Sequence, residues 1–95
     1  MRYNIEVLKK MIKTLDFNIE MFQGYFKIYE GYQNEEIKKQ KIASNEKRIA
    51  DMVLERRGLA AIIENDGEPV EGAYVDSMMY SAQAGADTSW WTKGT

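Results

Sequence analysis

The sequence contains no cysteine and no histidine. Without cysteine the chain has no disulfide, no thiolate metal ligand and no thiol nucleophile. Without histidine it lacks the commonest general base and the commonest ligand of transition metals. The seven glycines are scattered along the chain and form no phosphate-binding loop. We therefore expect a protein that is not an enzyme and that holds neither a metal nor a cofactor.

Long apolar runs are missing as well. The longest run, from Leu59 to Ile63, is far short of the roughly 20 residues that span a bilayer. No apolar signal core follows the first residues, which lead directly into a charged segment. The net charge is −2, with 13 basic and 15 acidic residues, so nucleic acid is not an expected partner. A cytoplasmic protein that does not bind membranes is the expectation.

Residues 5–29 carry the strongest periodic signal. Apolar side chains alternate there at spacings of three and four, which is the a/d pattern of a helix that packs along a seam. The members are Ile5, Leu8, Ile12, Leu15, Ile19, Phe22, Phe26 and Tyr29. Asn4 is the predicted N-cap and Gly31 the predicted stop, which gives a helix of roughly 28 residues.

A second stripe runs beside the first on the same predicted helix. Its members are Val7, Met11, Thr14, Asn18, Met21, Tyr25, Ile28 and Tyr32. Together the two stripes form an apolar arc of about 160°, which one neighbouring helix does not cover. We therefore predict a homo-oligomer. The predicted interface consists of Ile5, Leu8, Ile12, Leu15, Ile19, Met21, Phe22, Tyr25, Phe26 and Tyr29.

The rest of the chain predicts two further helices. The second begins at the N-cap Asn34, passes Gly58, where it could break or kink, and ends at Asn65-Asp66-Gly67. Because the connection is short, helices 1 and 2 should form an antiparallel, coiled-coil-like hairpin. A short third helix is expected from about Gly72 to Gln83. The predicted fold is all-α, with a domain at 1–84, a tail at 85–95 and assembly into a helical-bundle oligomer.

Basic residues from both helices should meet at the open end of such a hairpin. They are Arg2, Lys9, Lys13, Arg56 and Arg57, and they predict an anion site for a phosphorylated or cyclic nucleotide. At the turn end, Lys27, Lys38, Lys39 and Lys41 come near Tyr25, Tyr29 and Tyr32. The alternative in both places is a solvated face, because glutamates are interleaved with the cations.

Three further features stand out. Gly24 lies on the helix 1 surface one heptad after Phe17, where a glycine lets another backbone approach closely or is simply tolerated. Asn45 falls in the helix 2 seam, where it either fixes the register in an assembly or faces water. Trp90 and Trp91 stand in an otherwise small and polar tail, and they are predicted to anchor that tail on the hairpin or on a neighbouring subunit.

Two functions are compatible with these features. The first is a non-enzymatic homo-oligomeric protein that acts by binding itself or another protein, as an assembly component, adaptor or inhibitor. Short helical chains without cysteine or histidine are common among phage and mobile-element accessory proteins. The second is a small-molecule binder that sequesters a phosphorylated or cyclic nucleotide at its subunit interfaces.

Overall fold

The computed structural model describes residues 2–86, which form three α-helices and no strand. Helix α1 spans Ile5–Glu30, α2 spans Glu35–Glu64 and α3 spans Ser77–Ala86. Helices α1 and α2 pack against each other as a hairpin, and α3 packs against α1. The predicted all-α hairpin is therefore confirmed. Trp90 and Trp91 lie outside the described residues.

Two asparagines determine where the long helices begin. The Asn4 side-chain oxygen accepts hydrogen bonds from the backbone N–H groups of Glu6 and Val7, at 2.9 and 3.3 Å. Asn34 accepts from Glu36 and Ile37 in the same way, at 3.0 and 3.1 Å. These bonds satisfy donors that a helix start otherwise leaves without a partner. Both helices begin at the predicted caps.

Gly58 does not break the second helix, since α2 runs through it without interruption. A Cβ atom at this position would come within 3.3 Å of the Ala73 Cβ and 3.4 Å of its Cα. The segment that follows α2 therefore packs against the helix backbone where a side chain is missing. Gly58 allows this close approach, which is a packing role rather than a role in bending the helix.

The end of α2 is joined to the start of the chain. Asp66 and Gly67 both have positive φ, at 59° and 85°, and the Gly67 N–H donates to the Ile62 carbonyl at 2.8 Å. The Tyr3 N–H donates to the Gly67 carbonyl at 2.8 Å. Beside it, the Arg2 guanidinium binds the Asp66 carboxylate. The chain start and the α2 C-terminus thus form one hydrogen-bonded corner.

Helix α3 begins later than the sequence pattern predicted. The apolar spacing indicated a start near Gly72, whereas the helix spans Ser77–Ala86. Asp76 determines this start, because its carboxylate accepts from the N–H groups of Met78 and Met79 at 3.0 and 3.2 Å. The preceding residues instead form the loop in which Ala73 meets Gly58.

The buried core lies at one end of the hairpin, which we call the proximal half: residues 5–15 of α1, residues 52–64 of α2, and α3. The buried apolar side chains are Val7, Leu8, Met11, Leu15, Leu59 and Ile62. Helix α3 is held there by Tyr80, whose hydroxyl accepts from the Asn4 N–H at 2.9 Å. The Tyr80 ring also meets the Tyr3 ring edge-on, with centroids 5.5 Å apart.

The other end, the distal half, comprises residues 16–30 of α1 and 35–51 of α2. Asn45 is the one buried residue among these described positions. Phe17 is 68% exposed and Ile28 is 58% exposed. Among residues 2–86, α3 reaches only the proximal half, so this part of the chain places no third layer over the two helices of the distal half.

One carboxylate within the proximal half is poorly accommodated. The Glu55 Oε1 atom is buried and has no hydrogen-bond partner among the described residues. Burial raises the pKa of Glu55, and the nearby Asp76 carboxylate raises it further. The folded state therefore binds this proton more tightly than the unfolded state does. The resulting stability is present below the ordinary pKa of 4.5 and is lost as pH rises through the raised value.

We expect Glu55→Gln to stabilise the fold at pH 7 by on the order of 1 kcal/mol, because it removes a poorly solvated charge. At pH 4 the gain should disappear, since Glu55 is then neutral in the native protein as well. Chemical denaturation at both pH values measures the difference. Glu46→Gln, at an exposed position of α2, is the control. An equal gain at pH 4 and pH 7 would show that the charge is not responsible.

Candidate interaction surface

An uncovered apolar line runs along the outer side of α1 in the distal half. Phe17, Met21, Gly24 and Ile28, which we call the outer stripe, follow one another at spacings of four, three and four. At 100° per residue, this line lies about 150° around the helix from the residues that face α2. Met21 is 38% exposed, and Phe17 and Ile28 are more exposed still. The hairpin itself thus leaves the outer stripe open.

Gly24 gives the outer stripe a concave shape. A Cβ atom built at this position would meet nothing within 4 Å. Phe17, Glu20, Met21 and Gly24 line a shallow hollow of about 340 Å³. A glycine inside an exposed helix costs about 1 kcal/mol relative to alanine. Gly24 therefore destabilises the helix slightly, and it lies at a position where a side chain would project into the hollow.

Helix α3 covers part of the second stripe that the sequence revealed. Val7 and Met11 are buried, and the Gln83 side-chain amide donates to the Thr14 hydroxyl at 3.1 Å. The sequence predicted that one neighbouring helix does not cover the arc, and within the chain α3 contributes to covering its first part. Further along the same stripe Met21, Ile28 and Tyr32 remain exposed. Within residues 2–86, the exposed part of this stripe thus lies beyond the contact between Gln83 and Thr14.

Asn45 connects the two long helices within the distal half. Its side chain is 4% exposed, and its Nδ2 atom donates to the Phe22 carbonyl at 2.7 Å. Asn45 therefore does not face water but lies in the seam between α1 and α2 of one chain, and a role in the register of an assembly stays a prediction. A single buried amide bonded across a seam fixes the register, because any slip of the helices leaves it without its partner.

A cavity opens beside this amide between α1 and α2, and we call it the seam cavity. Its volume is about 270 Å³, and its lining consists of Phe22, Tyr25, Tyr29, Lys41, Ser44, Asn45 and Arg48. The Arg48 guanidinium lies over the Phe22 ring at 5.3 Å from the centroid. Tyr25 and Tyr29 meet edge-on, with centroids 6.2 Å apart. The lining combines two cations with aromatic rings and contains no carboxylate.

Three of the five residues predicted to hold an anion lie beside carboxylates. Arg56 donates to both carboxylate oxygens of Asp16 across the seam, and this hydrogen bond raises the pKa of Arg56. Lys9 contacts Glu6 at 3.5 Å. Arg2 is bonded to Asp66. Each of these cations therefore already has an opposite charge beside it.

Arg56 and Arg57 also point to different places, although they are neighbours in sequence. Arg57 lines a cleft between α2 and residues 70–73, whereas Arg56 reaches across to α1. Lys13 is exposed on α1. The five residues are not gathered around one cavity, and nucleotide binding by them stays a prediction.

The predicted interface residues fall into three groups. Leu8 and Leu15 are buried in the chain's own core, and Met21 is exposed on the outer stripe. The others are half-buried along the seam: Ile5, Ile12, Ile19, Phe22, Tyr25, Phe26 and Tyr29. Phe17 and Ile28 were not among the predicted interface residues, although their spacing to Met21 was readable in the sequence. Self-association through these residues stays a prediction.

Within residues 2–86, no helix combines the length and the apolar character needed to cross a membrane. The same part of the chain shows no group of three acidic side chains placed to hold a metal ion. Comparison of the chain with protein families, with curated proteins and with solved structures finds no match.

Proposed function

We propose that this protein is a non-enzymatic helical module that acts by binding, and that it associates with itself through the distal half of its hairpin. The observation that carries the proposal is the outer stripe. It is an apolar line with a hollow at Gly24, on a half of the molecule where Asn45 is the one buried residue described. An assembly component, adaptor or inhibitor would use such a surface.

Burial of the outer stripe in an interface should be favourable in free energy. Phe17, Met21 and Ile28 present large apolar side chains to solvent, and full burial of such a side chain is worth roughly 1.5–3 kcal/mol. A symmetric pair of chains would bury each of them twice. Because immobilising two chains costs at least about 4 kcal/mol, the surface suits assembly at micromolar concentrations rather than an obligate, very tight complex.

Analytical ultracentrifugation tests the proposal directly. The wild-type chain should show a mass that rises with concentration from 11.0 kDa to a multiple of that value. Met21→Asp should shift this rise to higher concentration by at least about tenfold, because a carboxylate buried without a partner costs several kcal/mol. Gln23→Asp, on an exposed position of the same helix away from the outer stripe, is the control. A monomer at millimolar concentration would contradict self-association.

The seam cavity supports a second candidate function, which is the binding of a small phosphorylated ligand such as a nucleotide. Lys41 and Arg48 would contact the phosphate, while Tyr25 and Tyr29 offer ring faces for a base. Its volume of about 270 Å³ is close to the lower end of known ligand sites. This cavity, rather than the open end of the hairpin, gathers cations and aromatic rings in one place.

Calorimetric titration with nucleoside monophosphates and cyclic mononucleotides tests the second candidate. Binding should weaken as salt concentration rises, because the principal contacts are ionic. Arg48→Gln should reduce the affinity roughly tenfold, while Arg57→Gln, in a different cleft, should leave it unchanged. If Arg57→Gln reduced the affinity and Arg48→Gln did not, the ligand would bind in the cleft beside Arg57 instead of in the seam cavity. No heat with any member of the set would exclude this function.

A further inference from the structure

The outer stripe has a charged flank whose sign alternates. Glu20 and Lys27 are both exposed, and they lie seven residues apart on the same side of the stripe. Seven residues are close to two turns of helix, so the two charges are stacked along one edge. Such edge positions meet across the interface when helices pair along a narrow apolar line, and they determine which orientation is favoured.

An antiparallel pairing of two such stripes matches large side chains with small ones. With the two-fold axis midway between Met21 and Gly24, each Met21 faces Gly24 of the second copy. Phe17 then faces Ile28 of the second copy. The hollow at Gly24, where a Cβ atom meets nothing within 4 Å, is filled by a methionine, a side chain that adapts to irregular spaces.

The same axis also pairs the charges. Residues on equivalent flanks of antiparallel helices meet each other, so Glu20 lies on the same side of the interface as Lys27 of the second copy, about 3 Å away along the helix axis and within reach of its long side chain. By symmetry the contact occurs twice. A parallel pairing would place Gly24 against Gly24 and leave the hollow empty, and it would not bring Glu20 and Lys27 together. Both shape and charge therefore select the antiparallel arrangement.

We infer that the occupant of the outer stripe is a second copy of this chain, packed antiparallel through Phe17, Met21, Gly24 and Ile28 and oriented by the Glu20–Lys27 contacts. This inference rests on the proposed self-association and specifies its geometry. The tail that carries Trp90 and Trp91 is the competing occupant, and the experiments distinguish the two.

A charge exchange is the first test. Glu20→Lys should raise the dissociation constant measured by ultracentrifugation about tenfold at low salt, since two attractive contacts become repulsive. Lys27→Glu should do the same. The double variant Glu20→Lys/Lys27→Glu should restore the wild-type value, because it re-forms both contacts with exchanged signs. Glu30→Lys, on another face of α1, should have no effect. Additive losses in the double variant would overturn the antiparallel geometry.

The glycine provides a test that separates association from folding. Gly24→Gln should raise the melting temperature of the monomer, because glutamine favours a helix more than glycine does. It should weaken association, because the side chain occupies the space that Met21 of the second copy needs. A variant that folds better and associates worse supports the inference. Unchanged association would overturn it.

Cross-linking identifies the neighbour, since the chain has no native cysteine. Chains with Glu20→Cys and chains with Lys27→Cys are mixed and treated with a short bis-maleimide linker. The antiparallel pair predicts 20-to-27 products in excess over 20-to-20 and 27-to-27 products, whereas a parallel pair, in which the two flanks lie on opposite sides of the interface, predicts no such excess. Association without 20-to-27 products would overturn this geometry but leave the proposed function standing on another surface.

Tryptophan fluorescence of the full chain tests the competing occupant. If the tail occupies the stripe, the protein stays a monomer, its emission is blue-shifted, and Met21→Asp shifts the emission to the red. That result would overturn both the second-copy inference and the proposed self-association. Under the inference, Met21→Asp leaves the monomer emission unchanged and alters only the association.

Discussion

Replacing Met11 with alanine should lower the free energy of unfolding by about 2–5 kcal/mol, as deletion of a large buried side chain does in other cores. Met11 is fully buried between α1 and the elements packed on it, with 0% of its surface exposed. Replacing Met21, on the same stripe of the same helix, should change the free energy of unfolding of the monomer by less than about 0.5 kcal/mol. Urea denaturation measures both.

The comparison of Met11 with Met21 is informative because both are methionines on the same stripe of α1, and they differ in whether other parts of the chain cover them. Helix α3 contacts the first part of the stripe, where Gln83 bonds to Thr14, whereas Met21 is exposed. Measurements at low protein concentration isolate the monomer, since any stabilisation by association depends on concentration. Equal losses for Met11→Ala and Met21→Ala at low concentration would show that the distal half is covered within one chain.

The second large effect is expected at Gly67. Its φ is 85°, a conformation that side-chain-bearing residues adopt at a cost of about 1–2 kcal/mol. A Cβ atom there would also lie 2.7 Å from the Tyr3 carbonyl oxygen. Gly67→Ala should therefore lower the free energy of unfolding by more than about 2 kcal/mol, since it adds a backbone clash to the conformational cost.

Gly72 supplies a matched control for this prediction. It has the same φ of 85°, but a Cβ atom there would meet nothing within 4 Å. Gly72→Ala should carry only the conformational cost. The difference between the two variants in thermal unfolding then measures the contact with Tyr3. Identical melting temperatures for the two variants would mean that the corner between the chain start and α2 can shift to accommodate the added Cβ atom without loss of stability.

The sequence predicted the hairpin because its signals are local. The heptad series in α1 and the caps Asn4 and Asn34 each act within a few residues of their own position. For α3, however, apolar spacing alone placed the start near Gly72. The cap Asp76 was visible in the sequence and is the stronger signal, because it determines which N–H groups are satisfied.

Features that depend on tertiary placement were less predictable. The cations Arg2 and Arg56 were expected to gather around an anion, but their nearest opposite charges are Asp66 and Asp16, 64 and 40 residues away. The register of the hairpin determines which carboxylate lies beside each cation. The apolar pattern does not specify that register to within one residue. Gly58 was similarly ambiguous, because a glycine that bends a helix and one that admits a neighbour have the same sequence signal.

Because the buried core lies in the proximal half, the two halves of the hairpin should differ in how cooperatively they unfold. We expect the hydrogen bonds of the proximal half to break only when the core opens, and those of the distal half to open while the core stays intact. A partner that covers the distal half therefore completes a hydrophobic layer as it binds. Its binding should carry the negative heat-capacity change that accompanies burial of apolar surface. Under the proposed self-association, association and the last stage of folding become one thermodynamic event, and the rigidity of the distal half should then rise with protein concentration.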